Sequence, residues 1–167
     1  MGLVTETEEN RAAVLAAHAD HRAISAFTQD LPGAIQNAKY DREELTLTIA
    51  RESIIAACRT VQAAGYNFLV DVTCVDWYPN QPRFQVTYHI LSHSLHQRIR
   101  FAVLVEEGDP SVDSITGVWP AANFYEREIF DLFGVRFGGH PNLRRIMMPD
   151  DYQGNPLRKD FPVEGYR

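Results

Sequence analysis

Cysteine is almost missing from this 167-residue chain: Cys58 and Cys74 are the only two, and they lie far apart. Structural zinc and iron–sulfur clusters draw on about four Cys or His ligands at C-x-x-C-type spacing, so neither is expected here. Both cysteines fall in apolar stretches and read as small buried hydrophobes. No apolar run approaches the length that spans a bilayer, which removes a transmembrane helix from the expectations. The N-terminus, MGLVTETEEN, is acidic and lacks the basic-then-apolar layout of a secretory signal. Gly2 follows Met1, but Glu6 stands where N-myristoylation wants Ser or Thr. Positive charge is in deficit: 16 Lys and Arg against 22 Asp and Glu give a net −6, and no basic stripe is left for nucleic acid. Nor is there a nucleotide fingerprint, since Gly134 to Gly139 is neither a G-x-G-x-x-G turn after a strand nor a phosphate loop with its Lys.

What is present is enough for one globular domain, with 45% hydrophobic and 23% charged residues. An Ala-rich stretch from Arg11 to Phe27 is compatible with a helix and is stopped by Leu31-Pro32-Gly33. Glu43 to Ala50 alternates, with Leu45, Leu47 and Ile49 on one face, and predicts a strand. Arg51 to Ala64 predicts a helix with Ile54, Cys58 and Val61 on one side and Gly65 at its C-terminus. Tyr66 to Val75 is a β-rich run with Phe68, Val70, Val72 and Cys74 facing one way. After the turn Pro79 to Pro82, Phe84, Val86, Tyr88 and Ile90 alternate with Arg83, Gln85, Thr87 and His89. A second turn at Ser92 to His96 leads to Ile99, Phe101, Val103 and Val105, which completes an antiparallel meander. A helix from Pro120 to Phe133 follows, capped by Gly134. The fold class is therefore α+β: a two-layer domain with an antiparallel sheet packed by helices, plus an extended C-terminal arm. Residues 1–134 form the core domain, its first 30 or so helical or peripheral, and residues 135–167 form the arm.

The arm is the most unusual part. Five Gly and four Pro between Gly134 and Gly165 leave no room for a long helix or strand. Yet Phe137, Leu143, Ile146, Met147, Met148, Tyr152, Leu157 and Phe161 are too apolar for a free tail. Residues 124–167 hold seven acids and seven bases, so the whole negative charge falls on residues 1–123. A neutral, densely charged, extended segment needs a surface to lie on and suits protein–protein contact.

Candidate chemistry gathers around the last helix. At helical spacing Glu126 falls inside the apolar arc of Ile129, Phe130, Leu132 and Phe133, while Arg127, Glu128 and Asp131 share the other side, Arg127 and Asp131 as an i,i+4 pair. A carboxylate in an aromatic stripe is costly unless paired. Glu126 either meets Arg144 or Arg145 of the arm or is a catalytic carboxylate with a raised pKa. His140, between Gly139 and Pro141, reads as a turn residue or a general base. His89, His93 and His96 form a metal trio only if the turn at Ser92 brings them together, and His18 and His21 read as a solvated face. Arg144-Arg145 and Arg158-Lys159 could take phosphate or acidic lipid, but Asp150, Asp151 and Asp160 stand close by and favour ion pairs. Pro156 to Pro162 is stiff before docking, which lowers the entropy cost of binding a partner.

The block EREIFDLFGVRFGGHPNLRRIMMPDDYQGNPLRKDFP, Glu126 to Pro162, closely resembles the signature of the 30-kDa-type subunit (the C-type subunit) of respiratory complex I, NADH:quinone oxidoreductase. Weaker resemblance runs upstream through FLVDVTCVDW, RFQVTYHILS and VWPAANFYERE. The family pattern falls on Glu126, Arg127, Glu128, Asp131, Gly134, His140, Arg145, Arg158, Lys159 and Asp160, among others. The resemblance implies a peripheral-arm structural subunit of a proton-translocating enzyme, with no active site of its own and no cofactor or metal on this chain. NADH, flavin, iron–sulfur clusters and quinone would be handled by or between partner subunits. It further implies that the arm, with Arg144, Asp150 and the family positions just named, anchors or binds other complex I subunits, chiefly the larger, D-type subunit of the quinone site. Location would be the cytoplasmic face of the inner membrane, with indirect membrane contact. Related chains often continue past the segment matching Gly165-Tyr166, whereas this sequence stops at Arg167. Equivalent subunits of photosynthetic NDH complexes or membrane-bound hydrogenases remain alternatives, as does a small stand-alone enzyme using Glu126 and His140.

Overall fold

A computed structural model describes residues 8–164; the readings made on Gly2 and Glu6 and on Gly165, Tyr166 and Arg167 fall outside the described residues. Five strands make the main sheet: β1 (Ile35–Asp41), β2 (Glu44–Ile49), β3 (Phe68–Asp76), β4 (Phe84–Ser92) and β5 (Gln97–Val105). They lie in the order β1-β2-β5-β4-β3. Period-two alternation builds the core as expected: Leu45, Leu47 and Ile49 join Phe84, Val86, Tyr88 and Ile90, and Ile99, Phe101, Val103 and Val105, all buried on one face.

The α+β, two-layer architecture is the expected one, and β3, β4 and β5 form the antiparallel meander. One seam differs: β2 runs parallel to β5, with Leu45 beside Ile99 and Leu47 beside Phe101. Chain direction explains it. Helix α3 (Ile54–Ala63), entered through a single 3-10 turn at Arg51–Ser53, carries the chain back before β3 starts. β3 then runs the same way as β2, β4 reverses, and β5 returns to the original direction. β1, which lies before the alternation read from Glu43 to Ala50 and was not expected, pairs with β2 through a turn at Arg42 and Glu43, both left-handed at φ 50° and 65°. Such turns are ordinarily filled by Asn or Gly.

Two more expectations shift. The stretch from Arg11 to Phe27 is two helices, α1 (Glu8–Ala17) and α2 (Arg22–Asp30). The break puts His21 at the α2 N-cap, where its Nδ1 accepts the Ala23 N–H, and turns Ala23, Ile24 and Phe27 into the core. His18 and His21 are accordingly not a solvated face but half-buried, stacked on Tyr40 and Tyr66. In β3 a register irregularity between Leu69 and Asp71 resets the parity, so Leu69, Val72 and Cys74 point inward while Phe68 is 48% exposed.

Helix α4 (Ala122–Phe133) packs on β3, with the Tyr125 hydroxyl donating to the Val70 carbonyl. It ends at Gly134 in the left-handed region, φ 77°. A Cβ there would lie 2.6 Å from Arg158 Nη2 and 2.7 Å from Asn155 Oδ1, so glycine is required by conformation and by space. The chain then doubles back through β7 (Arg136–Gly138), a three-residue strand parallel to β6 (Ser111–Asp113). This returns it to the start of α4, from which the arm runs forward along the helix.

Candidate functional site

The arm finds its surface on its own chain. From Gly138 to Glu164 no residue is fully buried, yet polar contacts tie the segment down along its length. His140 Nε2 lies 3.2 Å from the Asn123 carbonyl at the first turn of α4. One turn on, Arg127 donates to the carbonyls of Arg144 and Arg145 at 3.2 and 3.0 Å. Asp131 then gathers the next segment: one carboxylate oxygen accepts the backbone N–H groups of Ile146, Met147 and Met148 at 2.8–2.9 Å. Its other oxygen takes Arg145, whose second nitrogen donates to the Gly154 carbonyl. At the end of the helix, Asn155 donates to the Asp131 carbonyl and Arg158 to the Phe133 carbonyl. Asp131 is itself fully buried. Burial works to raise its pKa, but three backbone donors and Arg145 outweigh that and hold it below the ordinary carboxylate range.

A second tie closes over β3 and β4. Arg83 is fully buried and donates to both Asp76 oxygens, at 3.0 and 2.9 Å, from one edge of its guanidinium. Toward the surface it meets Glu107 and Asp160, and the Asp160 oxygens accept from both of its terminal nitrogens. Lys159 adds its backbone N–H to Asp76 at 2.9 Å, and Arg158 lies over the Phe84 ring at 5.2 Å. For Asp76 too, burial is outweighed by Arg83 and by the Lys159 and Tyr78 N–H groups, so its pKa is lowered. Arg83, bonded to Asp160 and Asp76, stays protonated throughout.

These contacts sort the residues read from the sequence. Arg127, Asp131, His140, Arg145, Arg158 and Asp160 hold the arm from side chains, and Lys159 does so from its backbone. Glu128, Arg144 and Asp150 are exposed. Glu126 does not meet Arg144 or Arg145, and Asp131 does not pair with Arg127. α4 is rotated so that Asp131 lies under the arm and Glu126 faces the β6–α4 loop. There Glu126, fully buried, accepts from Ser114 Oγ at 2.6 Å and from the Ile115 N–H at 2.8 Å. His140 is 3.9 Å away, beyond hydrogen-bond reach, and its Nδ1 accepts the Asn142 N–H. Asp76, Arg83, Glu107 and Ser114 were missed. Arg83 read as outward-facing by parity, and only the inward phase of Cys74 and Asp76 hinted at a buried acid.

The three histidines do not converge. His89 is held between Asp71 and Arg100, which also reaches Glu44, while His93 packs on the Phe68 ring. Among the described residues no group of three His, Cys, Asp or Glu side chains is placed to hold a metal ion. No described helix is long and apolar enough to cross a membrane.

Burial raises the Glu126 pKa from 4.5 to about 7, against the lowering effect of Ser114 and Ile115. A carboxyl raised on folding contributes stability in full below its unfolded pKa, and that contribution is lost as pH rises toward the folded value. Wild type is expected to lose stability between pH 4.5 and about 7, on the order of 3 kcal/mol in all. Glu126→Gln should flatten that slope and be the more stable protein above neutrality, as urea midpoints across the range would read.

The family described as respiratory-chain NADH dehydrogenase, 30 Kd subunit, matches residues 47–167. The chain is 42% identical over 147 residues to the C subunit of the NADH-quinone oxidoreductase of Geotalea uraniireducens, covering 87% of this chain and 90% of that one. Against the protein of the same name from Roseiflexus sp. it is 44% identical, covering 80% and 78%. Among solved structures, the trypsin-resistant fragment (1-134) of Nqo5 superposes with a TM-score of 0.65 at 30% identity, over 73% of this chain and 99% of that one. A chain of an archaeal respiratory membrane complex, the membrane-bound sulfane sulfur reductase, shares the fold with a TM-score of 0.74 at 21% identity, over 87% and 86%.

Proposed function

The chain belongs to the 30 Kd subunit family of respiratory-chain NADH dehydrogenase, and from that we propose a non-catalytic docking role in the proton-translocating assembly. It is a peripheral-arm subunit of the NADH:quinone oxidoreductase. It carries no reacting group of its own: NADH, flavin, iron–sulfur clusters and quinone are handled on or between its partners. Its main partner is the larger subunit of the quinone site, and its place is the cytoplasmic face of the inner membrane, held there through the complex.

One observation carries the docking role. The arm is fastened by polar contacts while four of its large apolar side chains are turned outward: Ile146 is 38% exposed, Met147 61%, Leu157 52% and Val163 fully. Phe124, on the face of α4 two turns before Asp131, is 62% exposed. Single exposed apolar residues are ordinary, but a run of them along one fixed segment marks an interaction surface. The proposed division is a body, residues 1–134, and an arm, residues 135–167; the Nqo5 relative was itself solved as a trypsin-resistant fragment. Beyond Phe137 no residue of the arm is fully buried, so its hold on the body rests chiefly on the polar ties to α4 and Arg83.

Substituting Met147→Asp together with Leu157→Asp leaves every tie to α4 intact. The free protein should melt within about 1 °C of wild type, because both sites are exposed. Co-purification of the quinone-reducing assembly from solubilised membranes should drop at least tenfold. Unchanged recovery of the assembly would remove the arm from the docking surface.

A further inference from the structure

Glu126 is buried, but it is not isolated from solvent. Its Oε2 is 2.6 Å from Ser114 Oγ, and Ser114 Oγ is 2.9 Å from Thr116 Oγ1, with either hydroxyl able to donate. Exposure rises along that line: Glu126 is sealed, Ser114 is 8% exposed and Thr116 is half-buried. Thr116, and at its inner edge Ser114, line an open groove of about 420 Å³, together with Asn123, Gly138, Gly139 and Pro141. Backbone donors fix the geometry at both ends, Ile115 N–H on Glu126 Oε1 at 2.8 Å and Thr116 N–H on Ser114 Oγ at 3.2 Å.

We infer that Glu126 is a buried proton-binding site wired to the groove through the Ser114 and Thr116 hydroxyls. Both protonation states are fully bonded. As a carboxylate, Glu126 accepts from Ser114 O–H and from Ile115 N–H. As a neutral acid, its Oε2–H donates to Ser114 Oγ, and the Ser114 proton turns toward Thr116 Oγ1. Uptake balances at each step: solvent gives a proton to Thr116 Oγ1, the Thr116 proton passes to Ser114 Oγ, and the Ser114 proton passes to Oε2. The site gains one proton and loses one negative charge, and no other bond changes. An unpaired buried carboxylate with no second set of partners would be held in one state; a hydroxyl that can reverse supplies the second set.

Three other titratable side chains face Glu126: Cys58, Tyr88 and His140. Cys58 of α3 and Tyr88 of β4 are both pushed up by burial and stay neutral, and the negative charge of Asp113 in β6 raises Tyr88 further. In the bonding observed, His140 accepts the Asn142 N–H at Nδ1, so its proton sits on Nε2 and points at the Asn123 carbonyl. Both ring nitrogens are occupied. The burial that raises Glu126 places its titration where either state can be populated near neutrality.

The test is carbon-13 NMR of glutamate side-chain carboxyls in the full chain, followed through neutral pH. One resonance, missing from Glu126→Gln, should titrate with its midpoint near 7. Thr116→Val removes the acceptor that the neutral state needs and should lower the midpoint by roughly one unit, and Thr116→Ser should restore it. A midpoint in the ordinary glutamate range would overturn the proton site. A midpoint identical in wild type and Thr116→Val, with Thr116→Ser verifying the fold, would overturn the wire.

Discussion

Replacing Arg83 with Met should cost about 3–5 kcal/mol and release the distal arm in the same event. The size follows from what is left behind. Asp76 is 4% exposed and accepts two bonds from Arg83, so the substitution strands a buried carboxylate that retains only backbone donors. The partners on the surface side are worth far less, because Glu107 and Asp160 are nearly half exposed and screened. Asp160→Asn should therefore cost no more than about 1 kcal/mol, read from urea midpoints at constant m-value. Pairing Arg83→Met with Asp76→Leu is expected to recover much of the loss, since an apolar pair needs no counter-charge. If Arg83→Met alone unfolds at the wild-type midpoint, the buried ion pair is not what holds β3, β4 and the arm together.

The second large effect belongs to Asp131→Asn. An amide of the same shape offers one acceptor oxygen where the carboxylate satisfies three backbone N–H groups and Arg145. About 2–4 kcal/mol should be lost, bounded by the free energy of lifting the arm away. Hydrogen exchange gives the discriminating readout. Amides of Ile146, Met147 and Met148 should lose protection together, while those of β4 and β5 keep theirs. Trypsin should then cut at Arg144, Arg145 or Arg158 many times faster than in wild type. Acid should do to the wild-type arm what the substitution does. The Asp131 and Asp76 carboxyls are both depressed on folding, so their stabilisation is complete above the ordinary carboxylate pKa and is lost as pH falls through their lowered values. An arm that lifts at neutral pH and reseats in acid would contradict the sign.

Much of the body was legible because alternation is a strong signal. Phe84 to Ile90 and Ile99 to Val105 face the core at every predicted position. Where parity was reset locally it misled: the irregularity at Leu69 to Asp71 turned Phe68 outward, and nothing in FLVDV announces it. β1 escaped notice because Arg42 and Glu43 take left-handed conformations that a reader assigns to Asn-Gly. The arm was recognisable by its density of Gly, Pro and charge, but not the partner each charge would choose. Helical spacing gives the direction of a side chain relative to its neighbours, not the rotation of the helix on its sheet. That rotation put Asp131 under the arm and Glu126 against Ser114, the reverse of the expected roles. Arg83 and Asp160 are 77 residues apart, and no local pattern encodes such a pair.

The parallel seam between β2 and β5 also sets an order on synthesis. Leu45 and Leu47 leave the ribosome some fifty residues before Ile99 and Phe101, beside which they finally lie. Until β5 is made, the inner edge of β2 in the β1–β2 hairpin stays unpaired and its apolar face has no central strand to join, and hairpins alone are marginal in water. The middle of the chain can close earlier, since β3, β4 and β5 pair with sequence neighbours across short turns. The first part of the domain to be translated is thus among the last to be secured. A ribosome paused between residues 50 and 97 would expose an unpaired strand edge, the state in which nascent chains most readily pair with one another.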